Sequence, residues 1–152
     1  MKHLIILLTL IFSVQCMAYS SNREGKLDKI INCRSIGNEI PSNLTSYSAI
    51  YDIKSSPSSY KCGADYRKNG HIAVVAYNKY PVTGKLAILV VFADKDSPCK
   101  EWGLGEECGL YLTKSSYGYS SYIKDKWGNV RVGNNITSYY YNQIEDLVKQ
   151  LF

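Results

Sequence analysis

The chain has 152 residues and a formal net charge of +5, and its composition is 45% hydrophobic and 20% charged. This length fits one domain with a real core and argues against two domains. The positive charge is spread along the sequence without a stripe of basic and aromatic residues, so nucleic acid is not an expected partner. A mild positive charge suits an anionic cell-wall surface.

The first 18 residues have the layout of a cleavable signal peptide. A basic start at Lys2 and His3 precedes an apolar run over residues 4–12, and small residues follow up to Ala18. The run is too short to cross a bilayer, and no later segment reaches the roughly 18 to 20 apolar residues that a membrane helix needs. We therefore expect residues 1–18 to be removed and residues 19–152 to form one secreted domain, extracellular or, in a bacterium, periplasmic.

The first part of this domain has a helical pattern. Apolar residues recur at spacings of three and four over residues 26–40, which predicts a helix that a proline ends. Residues 42–59 are rich in Ser, Thr, Asn and Pro and predict a loop. Two β-rich runs follow at residues 71–77 and 86–93, and the turn residues 81–84 between them predict a central hairpin.

Shorter apolar runs continue the sheet beyond the hairpin. Residues 110–112, 117–123 and 129–132 predict three more strands, and residues 138–152 place apolar side chains on one helical face. This order predicts an α+β fold, with an N-terminal helix packed on a central antiparallel sheet and a C-terminal helix. We expect a monomer without a membrane span.

Four cysteines remain after the predicted cleavage: Cys33, Cys62, Cys99 and Cys108. An even number in an exported chain indicates disulfides. Cys99 and Cys108 bracket a short loop that contains glycine and are the expected pair. Two interpretations of Cys33 stay open. It forms a second bridge with Cys62, or it stays free as a nucleophile on the first helix, where the helix dipole would stabilise a thiolate.

His71 is the single histidine of the predicted mature chain, because His3 leaves with the signal peptide. One histidine excludes a two-histidine ribonuclease mechanism and argues against a zinc site, and we expect neither a metal nor a cofactor. A pair of Cys33 and His71 is then the candidate for nucleophilic catalysis. If residues 81–84 form the hairpin loop, paired positions sum to 165. That register places Asp94 opposite His71, where its carboxylate could orient the imidazole.

Cys33 followed by Asn69-Gly70-His71 and an aliphatic strand resembles the papain-like peptidoglycan amidases of the NlpC and CHAP types. In size and leader the chain is also similar to type VI secretion amidase effectors and to the domesticated amidase effectors. The resemblance implies an antibacterial thiol hydrolase that cuts amide bonds of bacterial peptidoglycan. It implies Cys33 as nucleophile, His71 as base and then acid, and Asp94 as the orienting residue.

The alternative is a secreted or periplasmic binding protein with structural disulfides and no catalysis. Tyr60-Lys61-Cys62, followed by the apolar strand that ends at Tyr77, is similar to the sheets of lysozyme inhibitors. That similarity implies a lysozyme as partner, and an immunity protein against an amidase toxin is a second form of the same hypothesis. The tyrosines are interpreted mainly as strand residues. A bridge between Cys33 and Cys62 would favour the binding protein.

Overall fold

Seven strands form one antiparallel sheet in the computed structural model, which describes residues 26–44, 46–65, 72–92, 99–100, 105–132 and 141–152. Each strand pairs with the next one in the sequence, so the sheet is a meander with β1 and β7 at its edges. The strands are β1 (Lys29–Ile30), β2 (Lys61–Ala64), β3 (Ile72–Tyr77), β4 (Leu86–Phe92), β5 (Cys108–Ser115), β6 (Gly118–Asp125) and β7 (Val130–Val132).

Helical segments cover both faces of this sheet. One face carries helix α1 (Tyr47–Ser55) and three 3₁₀ segments, Cys33–Asn38, Ser42–Leu44 and Pro57–Ser59. The opposite face carries helix α2 (Tyr141–Leu151). The predicted α+β class is therefore confirmed in its coarse form, as an antiparallel sheet with helices packed on it.

The sheet separates two apolar cores. On the α1 face, Leu89 of β4 packs in one cluster with Ile36 and Ile53, whereas on the α2 face Val90 packs in another with Leu151. Neighbouring residues of a strand point to opposite faces, so a strand covered on both sides must be apolar throughout. All seven residues of β4 are buried, which explains its unbroken apolar run.

The predicted central hairpin is present as β3 and β4. From Val74 to Tyr77 the paired positions sum to 165, as the turn predicts. Gly84 in the loop has a φ of 85°, a conformation that glycine adopts without steric cost. The register changes near the far end of the hairpin, where a bulge shifts the pairing by one residue and Ile72 pairs with Phe92.

The predicted strands beyond the hairpin are also present, as β5, β6 and β7. The predicted C-terminal helix forms as α2, and it packs on the sheet through Ile144, Leu147, Val148 and Leu151. These elements were predictable because each has a regular apolar period that matches its secondary structure.

The N-terminal helix predicted over residues 26–40 does not form. The segment contains β1 and the 3₁₀ segment Cys33–Asn38 instead. Two of its backbone amides bond to distant partners. Leu27 N donates to Leu151 O and Ile31 N donates to Cys62 O, each at 3.0 Å. An amide that bonds to a remote strand or helix cannot also close a helical turn, so these tertiary bonds override the local pattern.

The loop predicted over residues 42–59 is also wrong, since helix α1 occupies its centre. Ala49, Ile50 and Ile53 lie on the buried side of α1, and polar residues lie on the exposed side. This is the apolar spacing of a surface helix. The prediction of a loop used the high content of serine and other polar residues and did not take this spacing into account. The helix that packs on this face of the sheet is thus α1.

The predicted signal peptide, residues 1–18, lies outside the described residues. Within the described ranges, no helix is long and apolar enough to cross a membrane.

Candidate functional site

The four cysteines form two pairs with disulfide geometry. Cys33, at the start of its 3₁₀ segment, pairs with Cys62 of β2 at a Cα–Cα distance of 5.3 Å. Cys99 pairs with Cys108 of β5 at a Cα–Cα distance of 5.9 Å, as their spacing predicts. Both distances lie within the range that a bridge spans. While this bridge is closed, Cys33 carries no free thiolate.

The other two residues of the predicted triad, His71 and Asp94, lie outside the described residues. Their predicted pairing depended on a hairpin register in which positions sum to 165. That register does not extend along the whole of β3, because the bulge changes it at Ile72. A shift of one residue moves a side chain to the opposite face of a sheet. The pairing of His71 with Asp94 was predicted from the register that β3 and β4 keep from Val74 to Tyr77. At Ile72 the two strands no longer keep that register.

An open groove of about 460 Å³ lies beside the Cys33–Cys62 bridge. Ile30, Pro57, Tyr60, Lys61 and Phe152 contribute to its walls. The groove follows the β1 edge of the sheet.

The main-chain carbonyl of Tyr60 passes close to the bridge, and its oxygen lies 3.3 Å from Cys33 Sγ. The Tyr60 hydroxyl donates a 2.7 Å hydrogen bond to Leu86 O. Burial is the main cause that raises the pKa of Tyr60, so the phenol stays protonated and keeps donating. This wall of the groove is thereby fixed to β4.

A second surface is formed by exposed tyrosines and lysines at one end of the sheet. The β3–β4 loop and the β5–β6 turn lie at this end, because Leu86 at the start of β4 pairs with Thr113 near the end of β5. We call it the lysine–tyrosine surface and define it by three exposed tyrosines and three lysines: Tyr51, Tyr80, Tyr117, Lys79, Lys85 and Lys114.

The tyrosines of this surface are unusually exposed for large side chains. Tyr80 is 79% exposed, Tyr51 is 67% exposed and Tyr117 is fully exposed. Val82, between Tyr80 and Lys85 in the same loop, is 68% exposed. Contiguous exposed apolar groups of this kind mark interaction sites on proteins that otherwise bury them.

Hydrogen bonds fix the backbone under the lysine–tyrosine surface. Gly84 N donates to Lys114 O at 2.7 Å, and Lys114 N donates to Lys85 O at 2.9 Å, which joins the loop to β5. Tyr80 N donates to Asn78 Oδ1 at 3.0 Å, within the loop. Side chains on a backbone held in this way lose little further entropy when a partner binds.

Two of the three lysines on this surface lack a carboxylate partner among the described residues. Lys85 Nζ lies 3.3 Å from Asp52 Oδ1 and is paired. Lys79 and Lys114 have no ion pair with any carboxylate in the described part of the chain. Their ammonium groups lie over tyrosine rings instead, Lys79 at 5.4 Å from the centroid of Tyr80 and Lys114 at 4.7 Å from that of Tyr119.

Sequence reasoning missed this surface because it interpreted the tyrosines as strand residues. A usable signal was present, since Tyr80 precedes the predicted turn at 81–84 and Tyr117 precedes Gly118, a residue type that is common in turns. A tyrosine in a turn cannot pack in the sheet and points to solvent or to a partner.

Asp125 is the most strongly bonded carboxylate of the opposite end of the sheet. It is fully buried and accepts four hydrogen bonds of 2.8–3.0 Å, from the backbone amides of Gly105, Trp127 and Asn129 and from the Asn129 side chain. Burial acts to raise the pKa of Asp125, but the hydrogen bonds from Asn129, Gly105 and Trp127 outweigh it and lower the pKa. Asp125 holds the β6–β7 turn and has no oxygen left for chemistry.

The described residues contain no group of three or more His, Cys, Asp or Glu side chains that could hold a metal ion. No protein-family model matches the chain, and no significant match was found among curated proteins or solved structures. The arrangement of its own residues is therefore the basis for assigning a function.

Proposed function

We propose that the chain is an exported binding protein whose lysine–tyrosine surface occupies the acidic cleft of a cell-wall hydrolase, and that it acts without catalysis. The single observation that carries the proposal is that exposed tyrosines and two lysines without an ion pair in the described part of the chain lie at one end of the sheet, where hydrogen bonds join the β3–β4 loop to β5. The two disulfides support export, since such bridges persist in oxidising compartments.

The chemistry of the partner follows from the shape and charge of this surface. Glycosidases that cut wall polysaccharide carry two carboxylates on either side of an open cleft. A surface with exposed aromatic rings and ammonium groups offers apolar contact area and positive charge to such a cleft. We therefore propose a lysozyme-type glycosidase as the partner, in preference to an amidase toxin whose site is built on a thiol and an imidazole.

Inhibition of a lysozyme-type glycosidase by the intact protein tests the proposal. We expect stoichiometric inhibition by the wild type, and a loss of at least about tenfold in affinity for Tyr117→Ala, since buried interface tyrosines contribute upwards of about 1.4 kcal/mol. Trp127→Ala is the matched control, because Trp127 is also an exposed aromatic residue, at 72%, but lies at the opposite end of the sheet. The proposal fails if the wild type neither binds nor inhibits, or if both variants lose affinity equally.

The cysteine amidase stays a competing proposal, favoured by one observation, that Cys33 lines an open groove. It requires a free Cys33 thiol together with His71 and Asp94. Lysis of purified peptidoglycan by the reduced protein, compared with Cys33→Ala, decides this point. Lysis that depends on Cys33 would replace the binding proposal, whereas no lysis by either protein would remove the amidase.

A further inference from the structure

The two disulfides have different surroundings. Cys99 and Cys108 are both completely buried and belong to the core beneath α2. Cys33 retains 7% exposure, and its bridge to Cys62 lines the open groove of about 460 Å³. A reagent of a few heavy atoms can therefore approach the Cys33–Cys62 bridge through this groove, whereas both cysteines of the other bridge are completely buried. Access is a condition for attack on a disulfide sulfur.

The groove also carries the charge that thiol chemistry favours. Lys61 lies on its wall and its residue is exposed. An ammonium group beside a cysteine stabilises a thiolate and attracts thiols that carry carboxylates. The groove therefore favours small anionic thiols over neutral ones of the same size.

Apolar packing as well as the bridge holds the layer that contains Cys33. Ile36, Leu44 and Ile53 are fully buried and hold this layer on the sheet. The backbone bond from Ile31 N to Cys62 O also ties the two segments together. A reduced Cys33 would have an acceptor in place, since the Tyr60 carbonyl oxygen lies 3.3 Å from its Sγ.

From these observations we propose that the Cys33–Cys62 bridge is a thiol–disulfide exchange site for small anionic thiols, and that it opens while the fold and the Cys99–Cys108 bridge stay intact. An incoming thiolate attacks Sγ of Cys33, the more exposed residue of the pair, and forms a mixed disulfide as the Cys62 thiolate leaves. A second thiolate attacks the sulfur of the bound small thiol, which releases the small-molecule disulfide and the Cys33 thiolate. The two small thiols supply the two electrons, and the released cysteine thiolates take up protons from water.

The proposal goes beyond a binding function, since it gives the chain a second chemical state. In that state Cys33 presents a thiol to the groove, and a mixed disulfide at Cys33 fills the groove with the small thiol. The lysine–tyrosine surface belongs to different elements and is the same in both states.

The test is alkylation mapping of the full oxidised chain during incubation with glutathione, a thiol that carries carboxylates. We expect iodoacetamide to label Cys33 and Cys62 at least about tenfold faster than Cys99 and Cys108, with an unchanged far-ultraviolet circular dichroism spectrum. Equal labelling of the two pairs, faster labelling of Cys99 and Cys108, or loss of the spectrum in step with labelling would each overturn the proposal.

A charge variant tests the route through the groove. Lys61→Glu should slow labelling of Cys33 with glutathione by several-fold and slow labelling with 2-mercaptoethanol, whose thiolate carries no carboxylate, by clearly less. Lys126→Glu, which makes the same change of charge at the β6–β7 turn, should alter neither rate. If Lys61→Glu slows both thiols equally, or slows neither, approach through this groove is wrong.

Discussion

Replacement of Asp125 by asparagine tests how the β6–β7 end of the sheet is held. Each carboxylate oxygen accepts two hydrogen bonds, Oδ1 from the amides of Trp127 and Asn129 and Oδ2 from Gly105 N and the Asn129 side chain. An asparagine keeps one oxygen and turns an NH₂ group towards the other two donors. Two N–H groups then lose their acceptor at a site that is fully buried.

The magnitude follows from the cost of an unsatisfied buried polar group, about 1–3 kcal/mol each. Because two such groups lose their acceptor, we expect Asp125→Asn to lower the free energy of unfolding by about 2–6 kcal/mol. For a domain of this size that loss lowers Tm by roughly 10 °C. Urea unfolding at pH 7, followed by circular dichroism, measures the difference directly.

The matched control is Asp146→Asn, the same chemical change on the exposed side of α2. We expect it to change stability by less than about 0.5 kcal/mol, as most surface substitutions do. If Asp125→Asn is as mild as Asp146→Asn, the four hydrogen bonds do not hold the turn and the reasoning fails.

Three further predictions concern the same structure. The pKa of the Asp125 carboxyl is lower in the folded state than in the unfolded state. The stability that the carboxylate contributes is therefore fully present above the unfolded-state pKa and is lost as pH falls through the folded-state pKa. The difference in stability between wild type and Asp125→Asn should accordingly shrink on acidification below about pH 4, and a constant difference would contradict this assignment. Tyr111→Phe should destabilise by about 1 kcal/mol, because the buried Tyr111 hydroxyl donates to Leu44 O, whereas Tyr117→Phe should have no effect on urea unfolding. Tyr80→Ala should leave the melting temperature unchanged and weaken partner binding, and a fall in Tm would show that the ring is structural.

Strands β3 to β7 and helix α2 could be predicted because their signals are local, whereas β1 and β2 were not predicted. The register of the central hairpin follows from its turn alone, and it holds from Val74 to Tyr77. The bulge beside Ile72 could not be predicted, since a bulge depends on what both neighbouring strands and the covering layer require.

The N-terminal segment shows why an apolar period can mislead. Spacings of three and four over residues 26–40 satisfy a helical template, yet Leu27 N bonds to α2 and Ile31 N bonds to β2. The partners of these amides lie far along the sequence, so no local window contains them. The predicted nucleophile Cys33 depended on that helix, and its replacement by β1 and a 3₁₀ segment places Cys33 within reach of Cys62.

The candidate site could be predicted only in parts. The tyrosines and lysines of the lysine–tyrosine surface are visible in the sequence, but they come from α1, the β3–β4 loop and the β5 to β6 region. Pairing of β4 with β5 brings the loop and the turn together, and the packing of α1 adds Tyr51. Strand register thus decides which residues share a surface, and residue types alone do not determine the register.

The measurement that tests the central claim most directly compares two charge reversals in binding to a lysozyme-type glycosidase. Lys114→Glu and Lys126→Glu both lower the formal net charge from +5 to +3, at opposite ends of the sheet. Calorimetric titration should give a loss of at least about tenfold for Lys114→Glu, since a carboxylate cleft would then meet a like charge. Lys126→Glu should bind as the wild type does. Equal affinities for the two variants, or a greater loss for Lys126→Glu, would contradict the proposal that the lysine–tyrosine surface enters an acidic cleft.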